Sequence, residues 1–249
     1  MDFKFTPKEW SQLVNVISFL SKSDNCTDLD IKDGHIRVDN DFRSATYDLT
    51  LPKPIDITLS SAKDIIPIMN MFNSNDDANV ITISVKDGEN KFTISDSQSA
   101  VEYPKANRNL CNNSFISDEI FENKYNKYIN TEMISMIQLN PAVMNRILVL
   151  ISTLNVIDVL LVVKDKKATI AVNSQSKTKK AKVITIDNIH IEDGIYSITT
   201  SAFQNPWEGL ELCIYEYNKS ANQYILKVNG SISELPITIF YPMSLKKEK

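Results

Sequence analysis

The sequence predicts an α+β chain of two similar domains, each built from repeated β-α-β-β-β segments with helices on one face of curved antiparallel sheets. Two observations carry this. Lys32-Asp33-Gly34, Lys86-Asp87-Gly88 and Lys164-Asp165-Lys166 each lie between β-branched runs. Each is preceded, by roughly 25 residues, by a helix-capping signature and an amphipathic stripe, a spacing that implies an internal repeat of about 50 residues. The expected boundaries are a first domain over 1–105, a linker over 106–132 and a second domain over 133–249.

The clearest copy runs from Ile137 to Asn173. A short alternating strand ends at Leu139, Asn140 is placed to cap a helix, and Pro141 occupies its first position. Asn accepts from the unpaired N–H groups of a first helical turn, and proline there gives up an N–H that would have no partner. Met144, Ile147, Leu148 and Ile151 form one apolar stripe, with Asn145, Arg146 and Thr153 on the other face. Two β-branched runs follow around Asp165-Lys166.

The first repeat opens with the alternating strand Met1–Phe5, then Thr6-Pro7-Lys8-Glu9, a capping box with Pro at N1. Trp10, Leu13, Val14, Ile17 and Leu20 form the stripe, and strands over 29–32, 35–39 and 44–51 follow. In the second repeat Ile55, Ile57 and Leu59 alternate, Ser61 to Asp64 reads as another box, and Ile65, Ile68, Met69 and Phe72 line a helix. Pro67 inside it predicts a kink or shortening. Strands over 80–85, 92–95 and 100–103 complete it. The fourth repeat has a strand over 196–200, room for about one helical turn before Pro206, and strands over 210–216, 223–228 and 235–241. Between the halves, 106–132 is rich in Asn; within it 117–128 is open to a short helix carrying Phe121, Tyr125 and Tyr128 or to a loop with scattered aromatics.

Composition excludes several classes of function. With 27 basic and 31 acidic side chains the net charge is −4, so nucleic acid is not held by bulk charge and any contact is local. Five glycines, at 34, 88, 194, 209 and 230, assemble neither a Walker loop nor a dinucleotide fingerprint. His35 and His190 have no cysteine at ligand spacing, so no zinc site and no other metal or cofactor is expected. No serine has the glycine context of an exposed nucleophile and no acid–base pair stands out, so no enzyme is expected. Cys26, Cys111 and Cys213 are odd in number and far apart, no signal segment opens the chain, and no apolar run reaches the roughly 20 residues of a membrane span. A soluble, cytoplasmic protein is expected.

The helix faces are more informative. Lys8, Gln12, Asn15 and Lys22 lie opposite the first stripe with no carboxylate among them; Lys63 and Asn70 hold the corresponding face of the second helix, and Asn145 and Arg146 that of the third. A solvated face explains any one of these alone. The run Lys177 to Lys182 is a second basic feature, in a loop between strands.

In these paired repeats, notably 57–72 followed by Val80 to Gly88 and Ala100 to Pro104, and 139–154 followed by 159–172, the chain resembles the DNA polymerase sliding clamps, those of tailed phages most and the proliferating cell nuclear antigen more distantly. The resemblance implies a homotrimeric ring around duplex DNA that tethers a polymerase and is placed by a clamp loader, in host cytoplasm if phage-encoded. It implies that Lys8, Gln12, Asn15, Lys22, Lys63, Asn70, Asn145 and Arg146 face DNA. It implies a pocket for a partner's terminal peptide near Ile55, Tyr241, Pro242 and Met243. Subunits would join through Phe92, Ile94, Val101 and Tyr103 of one chain and Val183, Ile184, Thr185 and Ile186 of the next. A strand-rich virion or scaffold protein and a monomeric processivity factor are the competing readings.

Overall fold

The computed structural model describes residues 1–23, 26–73, 76, 78–86, 88–126, 132–154, 156–174, 180–203, 209–218 and 223–245. Contacts divide the chain into two compact units, the first comprising Met1–Ser117 with Ile232–Ile237, the second Asp118–Ser231 with Thr238–Lys249.

The first unit runs β1 (Asp2–Phe5), α1 (Pro7–Ser23), β2 (Leu29–Lys32), β3 (His35–Asp39), β4 (Thr46–Thr50), β5 (Ile57–Leu59), α2 (Ala62–Met71), β6 (Ile81–Val85), β7 (Lys91–Ser95) and β8 (Ala100–Pro104). Antiparallel ladders give the orders β1–β6–β7–β8 and β5–β2–β3–β4. Apolar residues two apart along each strand fall on one face. Ile83 and Ile94, paired across β6 and β7, therefore enter the same core as Leu13 and Ile17 of α1, Ile65 and Met69 of α2, and Ile31 and Ile57 of the other ladder. The space left among them is about 10 Å³, so the apolar faces are closed against one another.

The second unit begins with α3 (Asp118–Phe121) and a π-helical turn (Glu122–Asn126). It continues with β9 (Met133–Leu139), α4 (Pro141–Leu154), β10 (Val156–Lys164), β11 (Lys167–Ser174), β12 (Lys180–Ile186) and β13 (Gly194–Thr199). A 3-10 turn (Thr200–Phe203), β14 (Leu210–Asn218), β15 (Gln223–Ile232) and β16 (Leu235–Ser244) complete it, except that Ile232–Ile237 around the turn between β15 and β16 belongs to the first unit. Its ladders run β12–β11–β10–β13 and β16–β15–β14–β9. Val143, Met144, Ile147 and Ile151 are the buried face of α4. Among the described residues the fourth repeat has the 3-10 turn in place of a longer helix, and Phe203 at its end is fully buried.

Two of the three helix starts follow the sequence reading. The Thr6 N–H donates to Glu9 Oε2 (2.9 Å) while the Glu9 N–H donates to Thr6 Oγ1 (3.3 Å), the reciprocal pair of a capping box. Asn140 Oδ1 accepts from the Val143 N–H at 2.9 Å. The start of α2 differs. Ser61 sits at φ 48, ψ 58 and makes no side-chain cap; the carboxylate of Asp28 accepts from its N–H, and the Thr27 carbonyl accepts from Ala62. A left-handed residue points its hydroxyl away from the first turn, so the box motif has no geometry in which to form.

The three charged turns also differ. Lys32 pairs with His35, and Lys164 with Lys167, giving two-residue hairpin turns at Asp33-Gly34 and Asp165-Lys166 with positive φ at both positions. Val85 pairs with Phe92, so the second repeat spans that gap with a longer loop.

Candidate nucleic-acid interface and open sheet edges

On α1, Lys8 and Asn15 are exposed and Gln12 is buried, while the Lys22 side chain lies outside the described residues. All three described residues are engaged by the turn between β15 and β16, which belongs to the first unit. Gln12 Nε2 donates to the Ser233 carbonyl (2.8 Å), Asn15 Nδ2 donates to Ser233 Oγ (2.7 Å), and Lys8 Nζ lies 2.5 Å from Glu234 Oε2. Glu9, next in the chain, turns aside to pair with Lys53 at 3.1 Å.

On α2, Lys63 and Asn70 are exposed, with Asp64 exposed beside Lys63; Asn70 Oδ1 accepts from Asn73 Nδ2 at 2.8 Å. On α4, Asn145 and Arg146 are exposed together with Ser152 and Thr153, and that helix carries no acidic residue at all. Of these three helices, α1, α2 and α4, each thus leaves at least one cationic side chain exposed. In the basic run, 177–179 lies outside the described residues, and Lys182 is exposed on β12.

The residues expected around a peptide pocket are mostly core. Ile55, Tyr241 and Met243 are buried, and only Pro242 is exposed. Alternation along β16 puts Phe240 on the Pro242 side, where Tyr125 stacks on its ring (4.6 Å between centroids, 29°) and Phe121 meets it edge-on at 5.5 Å. The described part of the stretch left open in the sequence, 118–126, is thus helical, and Phe121 and Tyr125 pack with Ile225 and Phe240, while Tyr128 lies outside the described residues.

Each unit has a ladder with open edge strands among the described residues. In the first the edges are β1 and β8, and β8 carries Val101 and Tyr103 half-buried; Phe92 and Ile94 lie one strand inward on β7 and belong to the core. In the second one edge is β12, with Val183, Ile184 and Ile186 half-buried and Thr185 exposed. The opposite edge, β13, is partly covered by the chain's own end, since Tyr196 bridges Leu245 and a Cβ on Gly194 would sit 2.1 Å from the Leu245 side chain.

Sequence reasoning missed the residues that bind 107–116 to the first unit. The Asp30 carboxylate, almost wholly buried, accepts from Thr58 Oγ1 (2.9 Å), Arg108 Nε (2.6 Å) and the Phe115 N–H (3.2 Å), and Arg108 also pairs with Asp56. The Asp28 carboxylate accepts from the Asn112 N–H at 3.1 Å. Burial works against the Arg108 charge, but the two carboxylates outweigh it and hold its pKa above the ordinary value. No local motif announces such a set, because its members lie far apart in sequence.

Among the described residues no three His, Cys, Asp or Glu side chains gather to hold a metal. Burial pushes the Cys111 thiol up to about 12 and the Cys213 thiol up to about 11, far from a nucleophilic thiolate. No described helix is long and apolar enough to cross a membrane.

No protein-family model matches the sequence, and comparison with curated proteins finds no match. Solved structures do match, over nearly the whole chain. The proliferating cell nuclear antigen of Entamoeba histolytica superposes with a TM-score of 0.64 at 12% identity, covering 99% of this chain and 98% of that one. The fold is that of the DNA sliding clamps. A clamp from A. fulgidus, solved with the C-terminal region of FEN-1 bound to it, gives 0.59 at 11% identity, covering 100% and 99%. The DNA polymerase sliding clamp of Pseudomonas aeruginosa gives 0.57 at 12%, with all of this chain matching 66% of that one. The clamp fold is shared with both the nuclear-antigen and the bacterial β-subunit branches, at an identity that speaks to architecture alone.

Proposed function

We propose that the chain is the subunit of a DNA sliding clamp, a non-enzymatic processivity factor that closes as a homotrimer around duplex DNA and tethers a replicative polymerase, with a clamp loader to open it. The observation that carries this reading is the pair of open edges, β8 and β12, on a fold shared end to end with sliding clamps. An open edge offers unpaired N–H and C=O groups to another chain, and two different edges on one subunit make a head-to-tail joint that closes into a ring when the rotation returns to its start. The outward Lys63 and Arg146 give such a ring a weakly basic lining, and a topological link to DNA tolerates the net charge of −4. The tailed-phage assignment and a cytoplasmic setting rest on the sequence pattern alone.

Light scattering decides the matter first: a single species at three times the 28.2 kDa chain mass is expected. A monomer, a filament or a shell-sized assembly sinks the ring. Reversing Lys63 and Arg146 to Glu in the trimer lowers duplex affinity and flattens its salt dependence by about one unit of slope per lost phosphate contact. Unchanged binding rejects the lining.

A further inference from the structure

The turn between β15 and β16 is built against its own backbone preference. Ser233 (φ 50) and Glu234 (φ 69) both occupy the left-handed region in a two-residue turn, a shape that favours Asn-Gly. Residues held there persist where their surroundings over-determine them. Here α1 supplies the restraint: buried Gln12 donates to the Ser233 carbonyl and Asn15 to the Ser233 hydroxyl. The result of this anchoring is that a carboxylate, Glu234, is set 2.5 Å from the Lys8 ammonium, with both side chains more than 60% exposed.

We infer that Glu234 is a built-in counter-charge on the DNA-facing row of α1, occupying Lys8 until a duplex phosphate replaces it. This rests on the clamp reading. An exposed ion pair is held weakly, so Lys8 exchanges one anion for another with little cost, and the anchored turn keeps the carboxylate at hand to take the lysine back. Glu9 does not compete, because Lys53 holds it on the other side. The device limits how long any one phosphate is retained, which is what a contact that must move along DNA requires, and it makes the exposed pair Lys8 and Asn15 less adhesive than its composition implies.

The test uses the full chain and a labelled blunt duplex of mixed sequence, titrated across a salt series. Glu234→Gln keeps the side-chain shape and removes the charge; duplex affinity rises at least about threefold at low salt and the salt slope steepens by about one. In a Lys8→Gln background the same change has no effect. Affinity and slope unchanged by Glu234→Gln, or a gain that survives Lys8→Gln, overturns the inference. The Lys63→Glu, Arg146→Glu variant is run alongside: if it loses affinity while Glu234→Gln is silent, only the counter-charge fails, and if neither responds, the DNA-facing lining fails with it.

Discussion

Trp10 Nε1 donates to the carbonyl oxygen of Met69 across 3.0 Å, tying the first turn of α1 to the last turn of α2 inside the first unit's core. The indole is fully buried, edge-on to Phe5 at 5.7 Å and to Phe72 at 6.4 Å. The Met69 carbonyl also accepts from the Phe72 N–H at 3.1 Å, so the indole supplies a second donor to a carbonyl of the helix's last turn. Trp10→Phe removes that donor and opens space beside the aromatic pair. The expected loss is about 2–4 kcal/mol, combining the lost contacts with the lost hydrogen bond. Denaturant unfolding of the variant checks it, and a loss under about 1 kcal/mol would mean the core collapses around the gap.

Gly34 and Gly88 look alike in sequence, each ending a Lys-Asp-Gly, but substitution separates them. Both have positive φ, +73 and +79, so alanine at either meets the left-handed penalty of about 1–2 kcal/mol. At Gly34 the added Cβ would also fall 2.2 Å from the Lys53 carbonyl oxygen, a backbone atom that cannot swing aside, whereas at Gly88 nothing lies within 4 Å. Gly34→Ala is therefore expected to cost about 1–3 kcal/mol more than Gly88→Ala. Parallel urea melts measure the difference, and equal losses would show that the 53–54 segment yields.

How much of this was legible in the sequence depends on how local the cause is. The caps at Thr6 and Asn140 could be read because donor and acceptor sit three residues apart. Ser61 carries the same motif and fails, because Asp28, 33 residues away, takes its N–H. The clasp of Gln12 on Ser233 spans 221 residues and left no local trace. The wheel placed Gln12 outward with Lys8 and Asn15, since periodicity cannot see a distant turn that covers a polar residue.

Asp48 gives stability a pH signature. Burial alone would raise its carboxyl, but the His35 ring (Nε2 at 2.6 Å) and the Arg37 guanidinium (Nε at 3.1 Å) outweigh it and hold the carboxyl below its ordinary 3.8. A depressed folded value means the contribution is present above the unfolded value and is lost as pH falls through the folded one. Asp48→Asn should then cost about 1–2 kcal/mol at neutral pH, with the gap from the parent protein closing below 3.8. Urea midpoints taken across the acid range test this. A constant gap would assign the loss to packing.

The bulge in β12 makes the proposed subunit joint testable without breaking the unit that carries it. In the β11–β12 ladder Ile170 pairs with Ile184 and Ala171 with Lys182, so Val183 has no partner on β11. Proline removes a ladder N–H, and at a bulge on an edge strand it does so where the unit's own sheet loses least. A neighbouring β8 approaching from the other side would still meet a ring where it needs a donor and a flat edge. Val183→Pro should keep the circular dichroism of the parent chain while the mass in light scattering falls from trimer to monomer at micromolar concentration. If the variant is folded and still trimeric, β12 is not the joint, and the ring would have to close through another surface. If it is unfolded, Val183→Lys at the same position separates the two cases, since an exposed edge accepts a charge that a packed joint rejects.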